Sequence, residues 1–206
     1  MIGLFGGTFD PIHFGHLWPV VELQQALGLD SVRFIPCALP PHRQPTVADA
    51  VHRLEMVRLA VADYAGFVVD DRELRRSNVS YTVDTLKDLR DERPTITFCL
   101  IMGMDAFVNL PTWHRWQDVL GLANIVVMQR PGVQAALPSW AQQIHCRQRS
   151  EFLRVSSGQC YVQEVSPVDI SATQIRNRLA EQVDVETMLP VTVLHYIQQH
   201  QLYTKT

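Results

Sequence analysis

Apolar residues along this chain follow two rhythms. Unbroken runs rich in β-branched residues occupy Ile2 to Phe5, Val32 to Ile35, Phe67 to Val69, Ile96 to Met102 and Ile125 to Met128. A strand buried on both faces has no need to alternate with polar residues, so these runs predict strands of a parallel sheet. Between them, Leu17 to Leu27, Val51 to Ala62, Val83 to Leu89 and Trp116 to Leu122 repeat apolar positions three or four apart, as in Val51, Leu54, Val57 and Val61. That spacing lays an apolar stripe along a helix. Strand and helix in alternation require crossovers, and right-handed crossovers build an α/β fold: a doubly wound, Rossmann-like parallel sheet with helices on both faces. Ligands gather beyond the carboxyl ends of such strands.

The pattern weakens in three places. Pro40, Pro41, His42, Arg43, Gln44 and Pro45 predict a loop after the second strand, since prolines remove donors and keep their predecessors out of helix. Between residues 131 and 159, Pro131-Gly132 marks a turn, and a helix is expected from Ser139 into the region of Arg147 to Arg149. The C-terminal segment from residue 171 reads as two helical pieces broken near Pro190 that pack back across the sheet edge. No internal repeat divides the 206 residues, so a single domain spanning 1–206 is expected.

Composition narrows the function. With 47% hydrophobic and 19% charged residues the chain is an ordinary globular one, and a net charge of -3 offers no field for a long polyanion. Nucleic acid is therefore not an expected partner, and any phosphate site must be built locally. No run approaches the roughly 18 apolar residues a membrane span needs, and the start carries no basic leader, which predicts a cytoplasmic protein without a membrane partner. Cys37, Cys99, Cys146 and Cys160 are far apart, indicating neither a zinc knuckle nor a disulfide framework.

Chemistry is densest after the first strand, in Gly6-Gly7-Thr8-Phe9-Asp10-Pro11-Ile12-His13-Phe14-Gly15-His16. Two glycines allow close backbone approach to a ligand, and a helix start behind them presents free amides and a partial positive charge to a phosphate. The run lacks the lysine of one common phosphate loop and the glycine spacing of the other, which removes support for kinase or hydride-transfer chemistry. His13 and His16, three apart, project to one side, where they suit capping, phosphate or a metal. Asp10, before Pro11, is expected to fix the turn through an Asx-type bond, and Pro19 to lie in a first turn or a mild kink. A second constellation, Ile170-Ser171-Ala172-Thr173-Gln174-Ile175-Arg176, has the spacing of a capping box with Ser171 as N-cap. The box does not explain Thr173, or a cation at Arg176 where the helix dipole disfavours one; an anion there would.

Thr8 with His13-Phe14-Gly15-His16 resembles the T/H-x-G-H signature of the nucleotidyltransferase superfamily, and the longer run looks like the bacterial nicotinate mononucleotide adenylyltransferases. The resemblance extends over nearly the whole chain. It implies transfer of the adenylyl group of ATP to nicotinate mononucleotide, releasing pyrophosphate, in NAD biosynthesis. It places Gly6, Gly7, Thr8, Phe9 and His16 on the ATP side, with Ser171, Thr173 and Arg176 on the β- and γ-phosphates, and Mg²⁺ arriving with ATP rather than in a protein metal site. His13, His16, Arg43 and Arg176 are the expected catalytic residues, supplying charge to an in-line transfer. Gly103-Met104-Asp105 is similar to the family's G-x-D, which gives Asp105 to ribose, although alone it reads equally as a cap for the segment Ala106 to Leu110. Thr82, Val83, Trp113 and His114 resemble the pieces that enclose the nicotinate ring, Trp113 as platform and the amides of Val83 and His114 as donors to the ring carboxylate. Nicotinate is then favoured over nicotinamide. Cys37 and Ala38 depart from the pattern, which often has asparagine there, and Met104 is bulky for the middle of G-x-D. Rivals are a different phosphate acceptor, such as phosphopantetheine, or a nucleotide sensor without turnover.

Overall fold

The computed structural model describes residues 1–38, 46–76, 79–132 and 136–204. Six strands, β1 (Ile2–Gly7), β2 (Ser31–Pro36), β3 (Phe67–Val69), β4 (Phe98–Gly103), β5 (Asn124–Gln129) and β6 (Cys160–Glu164), form one sheet in the order β3-β2-β1-β4-β5-β6. Every neighbouring pair is parallel. The chain winds outward from β1 to β3, then returns to β4 on β1's other side. Between the carboxyl ends of β1 and β4 the connections diverge, and a crevice opens.

Helices α1 (Phe14–Leu27), α2 (Ala50–Val61), α3 (Thr82–Glu92), α4 (Met104–Val108) and α5 (Trp116–Leu122) make the crossovers. Leu17, Val20 and Leu23 of α1 and Met56, Val57 and Ala60 of α2 pack with Phe5 and Phe34 in one buried cluster. Val83, Leu86 and Leu89 of α3 and Val119 of α5 pack with Leu4 and Leu100 in another. Neighbours Leu4 and Phe5 thus serve opposite layers, as strand geometry requires. The five predicted strands and four predicted helices are all present.

Three expectations need correction. Among the described residues between 131 and 159 there is no continuous helix: a 3₁₀ turn at Ser139–Ala141, a bridge from His145 to Cys160, and α6 (Arg149–Phe152) replace it. The following strand, β6, is not predicted, because its apolar run is only three residues, Cys160-Tyr161-Val162, before Gln163 and Glu164. The terminal helices α7 (Ala172–Ala180) and α8 (Val191–Gln199) break at Pro190 as predicted, but α8 lies on α2, and Val193, Leu194 and Ile197 join the α1/α2 core rather than crossing the edge. Pro19 sits in the second turn of α1, which opens at Phe14.

Asn124 fastens this last part of the sheet. Its wholly buried amide donates to Val155 O (2.6 Å) and accepts from Gln159 N (3.1 Å), holding the turn that feeds β6. Asn124→Ala orphans both backbone groups and should destabilise the chain by about 2 kcal/mol or more in urea unfolding. A loss below about 0.5 kcal/mol would mean that β6 docks without it.

Candidate active site

After Gly7 the chain turns through Thr8, Phe9 and Asp10 into α1. Phe9 adopts φ 50° and is 2% exposed, its ring edge-on to His16 at 5.2 Å and tilted on Phe5 at 5.8 Å. Its ring lies in the core, so any contact of Phe9 with ATP is left to its main chain. A Cβ on Gly7 would stand 2.9 Å from that ring, which is why the position is bare.

Asp10 does not close a local Asx turn. Its carboxylate accepts instead from Val47 N (2.8 Å), Ala48 N (3.1 Å) and the Tyr203 hydroxyl (2.7 Å). Behind the loop the fully buried Arg53 guanidinium donates to the carbonyls of Thr8 (2.7 Å), Cys37 (2.8 Å) and Ala38 (3.3 Å). One cation so ties the ends of β1 and β2. Cys37 and Ala38 therefore contribute carbonyls, whatever their side chains, and the Cys37 thiol adds a weak bond to Thr8 Oγ1 at 3.7 Å.

His13 and His16 project together, as their spacing predicts, with ring centroids 3.8 Å apart and planes inclined by 32°. His13 is 4% exposed, and burial pushes its imidazole down to about 4. Without a ligand it is neutral near pH 7 and meets an incoming phosphate first as a hydrogen-bonding group. Among the described residues its buried Nδ1 has no hydrogen-bond partner, a cost of about 1–3 kcal/mol that a ligand oxygen or proton donor would remove. Two first-turn donors of α1 are already engaged: Phe14 N–H on the Met188 carbonyl (3.0 Å) and His16 N–H on the His13 carbonyl (2.8 Å). Fewer free amides face the loop than its sequence suggests.

The second constellation lies directly against the first. A Cβ on Gly15 would fall 2.8 Å from both the Ile170 carbonyl and the His13 ring, so the glycine lets the starts of α1 and α7 touch. Arg176 reaches back, Nη1 donating to the Asp10 carbonyl (2.6 Å) and Nη2 to Thr173 Oγ1 (3.2 Å). The capping box is formed in both directions: Gln174 N donates to Ser171 Oγ (3.2 Å) and Ser171 N to Gln174 Oε1 (2.8 Å). Ser171 is thereby occupied with its helix, while Thr173 keeps its hydroxyl proton. Arg43 and His42 lie outside the described residues.

On the far side of β1 a cavity of about 590 Å³ opens over the crevice. Gly6, Gly7 and Thr8 line it together with Thr82, Asp105, Trp113 and His114, which joins the first loop to the expected acceptor residues. His13, His16, Ser171, Thr173 and Arg176 do not line it, and the two groups meet only through the loop itself. Val83 is fully buried; as the second residue of α3 its N–H has no intrahelical acceptor. Asp105 is in the first turn of α4, whose N-cap is Gly103, so its reading as a cap fails and its carboxylate stands exposed at the cavity rim.

Two cavity features were not anticipated. The rings of Tyr81 and His114 meet at 4.3 Å and close one wall. Glu73, 8% exposed, accepts from Thr85 Oγ1 at 2.8 Å, and burial pushes its carboxyl up against the opposing pull of that bond and of Arg76. No periodicity or motif separates this glutamate from its acidic neighbours in the sequence; only its burial does.

A crossover helix carrying a paired-imidazole loop, with a second helix start pressed on it at the switch point of a doubly wound sheet, defines a nucleotidyltransferase. A family model described as cytidylyltransferase-like matches residues 4–178, and the chain belongs to that family, among its nicotinate-nucleotide adenylyltransferases. A protein of Aeromonas hydrophila named probable nicotinate-nucleotide adenylyltransferase is 45% identical, the match covering 98% of this chain and 96% of that one. One of the same name from Methylococcus capsulatus is 44% identical over the full length of both. Among solved structures, Plasmodium falciparum nicotinic acid mononucleotide adenylyltransferase complexed with NaAD shares the fold, with a TM-score of 0.74 at 18% identity over 98% of this chain and 96% of that one.

The buried imidazole makes a pH prediction. An unfolded His13 protonates near 6.5, whereas the folded one resists until about 4, so the stability its neutral form confers is full above 6.5 and lost as pH falls toward 4. The loss across that window comes to about 3 kcal/mol, since each tenfold change in proton affinity corresponds to roughly 1.36 kcal/mol. In urea titrations between pH 7 and 4, His13→Gln should shed that part of the slope. Equal slopes in the two proteins would show that His13 is not held neutral.

Proposed function

We infer that this chain transfers the adenylyl group of ATP to nicotinate mononucleotide, forming nicotinate adenine dinucleotide and pyrophosphate as a step of NAD biosynthesis, with residues 1–206 acting as one unit. The carrying observation is the contact between two helix starts far apart in sequence, sealed by Gly15 against Ile170 and by Arg176 on the Asp10 carbonyl. Such a junction presents donors from both helices to one polyphosphate.

The reading assigns ATP to the first loop and α7, and the mononucleotide to the cavity beside β4. The mononucleotide phosphate oxygen attacks the α-phosphorus; a new P–O bond forms as the bond to the bridging oxygen breaks, and pyrophosphate departs with the electron pair. The nucleophile is already an anion, so no general base is required, and the protein aligns and neutralises. His16 and His13 contact the α-phosphate as hydrogen-bonding imidazoles. Arg176 and Thr173 hold the β- and γ-phosphates; Arg43 is proposed to assist on the leaving group. Asp105 accepts from ribose hydroxyls, Trp113 stacks on the pyridine ring, and the N–H groups of Val83 and His114, with Thr82 beside them, meet its carboxylate.

Mg²⁺ delivered with ATP would be held by the phosphates and waters and would neutralise phosphate oxygens; the Asp10 carboxylate is taken up by the backbone N–H groups of Val47 and Ala48 and the Tyr203 hydroxyl. Among the described residues no helix is long and apolar enough to cross a membrane, and we place the enzyme in the cytoplasm with its soluble substrates.

Incubation with ATP, Mg²⁺ and either mononucleotide should release pyrophosphate with nicotinate mononucleotide at least tenfold faster than with nicotinamide mononucleotide. No product from either acceptor would sink the enzymatic reading, and equal rates would sink the acceptor assignment. His16→Ala should lower kcat by about 10² or more while the melting temperature moves by only a few degrees. Loss of the fold instead would make His16 a structural residue.

A further inference from the structure

We propose that Tyr203 is a positioning residue of the adenylyl-transfer site: through the Asp10 carboxylate it fixes the Asp10 carbonyl that orients Arg176, and it leaves the acceptor cavity untouched. The proposal rests on the proposed function, in which Arg176 grips the triphosphate.

Asp10 is 6% exposed and sits where four segments meet. Its Oδ1 accepts from the Tyr203 hydroxyl (2.7 Å) and Ala48 N (3.1 Å), its Oδ2 from Val47 N (2.8 Å), and its main-chain carbonyl from Arg176 Nη1 (2.6 Å). Side chain and carbonyl belong to one residue, so a carboxylate held by three donors has little freedom to let its own peptide turn. The Arg176 fork is thereby aimed from below. Neither Asp10 nor Tyr203 lines the acceptor cavity.

The C-terminal segment bears a cost to deliver this hydroxyl. Gln201 at φ 51° is the left-handed cap that ends α8, its N–H on the Gln198 carbonyl and the Leu202 N–H on the Ile197 carbonyl, whereas Tyr203 at φ 62° lies beyond that cap in a conformation that costs of order 1–3 kcal/mol in a non-glycine residue. The ring is 7% exposed in the α1/α2 core, and its hydroxyl is aimed at a carboxylate 193 positions away. Phenylalanine would fill the same space in the core, so what the tyrosine adds is the 2.7 Å bond from its hydroxyl to Asp10. Phe9, just before Asp10, is also left-handed at φ 50°, so the peptide that Arg176 binds lies between a strained turn and this anchor.

Tyr203→Phe removes one oxygen and keeps the ring. In steady-state pyrophosphate release by the full chain, with ATP and nicotinate mononucleotide varied separately, KM for ATP should rise at least tenfold. KM for nicotinate mononucleotide should stay within twofold, and the melting temperature within a few degrees. A variant that melts below the assay temperature, that raises both KM values alike or that matches wild type overturns the proposal, because each makes the tyrosine structural only. Arg176→Ala separates this inference from the function beneath it. If Arg176→Ala impairs the use of ATP and Tyr203→Phe does not, the positioning role alone fails; if Arg176→Ala leaves KM for ATP unchanged, the triphosphate assignment fails and this inference goes with it.

Discussion

Gly15 has no room for a side chain, and most of what the molecule can do follows from that. A methyl group there would fall within 2.8 Å of the Ile170 carbonyl and the His13 ring, so α1 and α7 would have to separate. Their closeness lets Arg176 reach the Asp10 carbonyl with one nitrogen while the other holds the Thr173 hydroxyl. A single histidine pair on a loop is a weak anion site in water. Set against a second helix start, with a guanidinium held by its neighbours, it is preorganised, which lowers the ordering cost when ligand arrives.

Electrostatics are divided within this junction. His13, buried and depressed to about 4, acts as a neutral donor or acceptor, and charge comes from Arg176 on one side. Arg53 lies deeper, fully buried, its donors turned to the carbonyls of Thr8, Cys37 and Ala38. It shapes the loop rather than meeting a ligand. A chain of net charge -3 can nonetheless build a site for a polyanion, since a few fixed donors at short range outweigh a weak and screened overall field.

The sheet was legible because buried parallel strands are written as apolar runs, and Val32 to Ile35 or Ile125 to Met128 permit little else. The edge strand Cys160–Glu164 was not, since an edge buries one face and tolerates Tyr161 and Gln163 on its course. At the site, two local signals were readable, the histidine pair and the capping box at Ser171, whereas the residues around Thr82 and Trp113 came only through the family resemblance. What the sequence hid is long-range. Asp10 before proline reads as a turn former, yet its carboxylate holds Val47, Ala48 and Tyr203. Glu73 and Arg53 look like exposed helix or turn charges, and only tertiary burial distinguishes them.

The same long-range contacts dictate when a working site can exist. Arg176 meets Asp10 across 166 positions of sequence and Tyr203 meets it across 193, whereas the acceptor cavity is built from residues 4–114. The acceptor half can be shaped once β1, β4 and α3 have docked. The ATP half must wait for α7 and α8 to close onto α1 and α2, the contacts of highest chain separation and therefore the last to offset their loop entropy. Under the proposed assignment, a partly folded chain would have its pocket for the mononucleotide before its grip on the triphosphate. Local opening of the C-terminal helices would abolish adenylyl transfer while leaving most of the sheet intact, which puts the sensitivity of the chemistry at the terminus rather than in the β-sheet core.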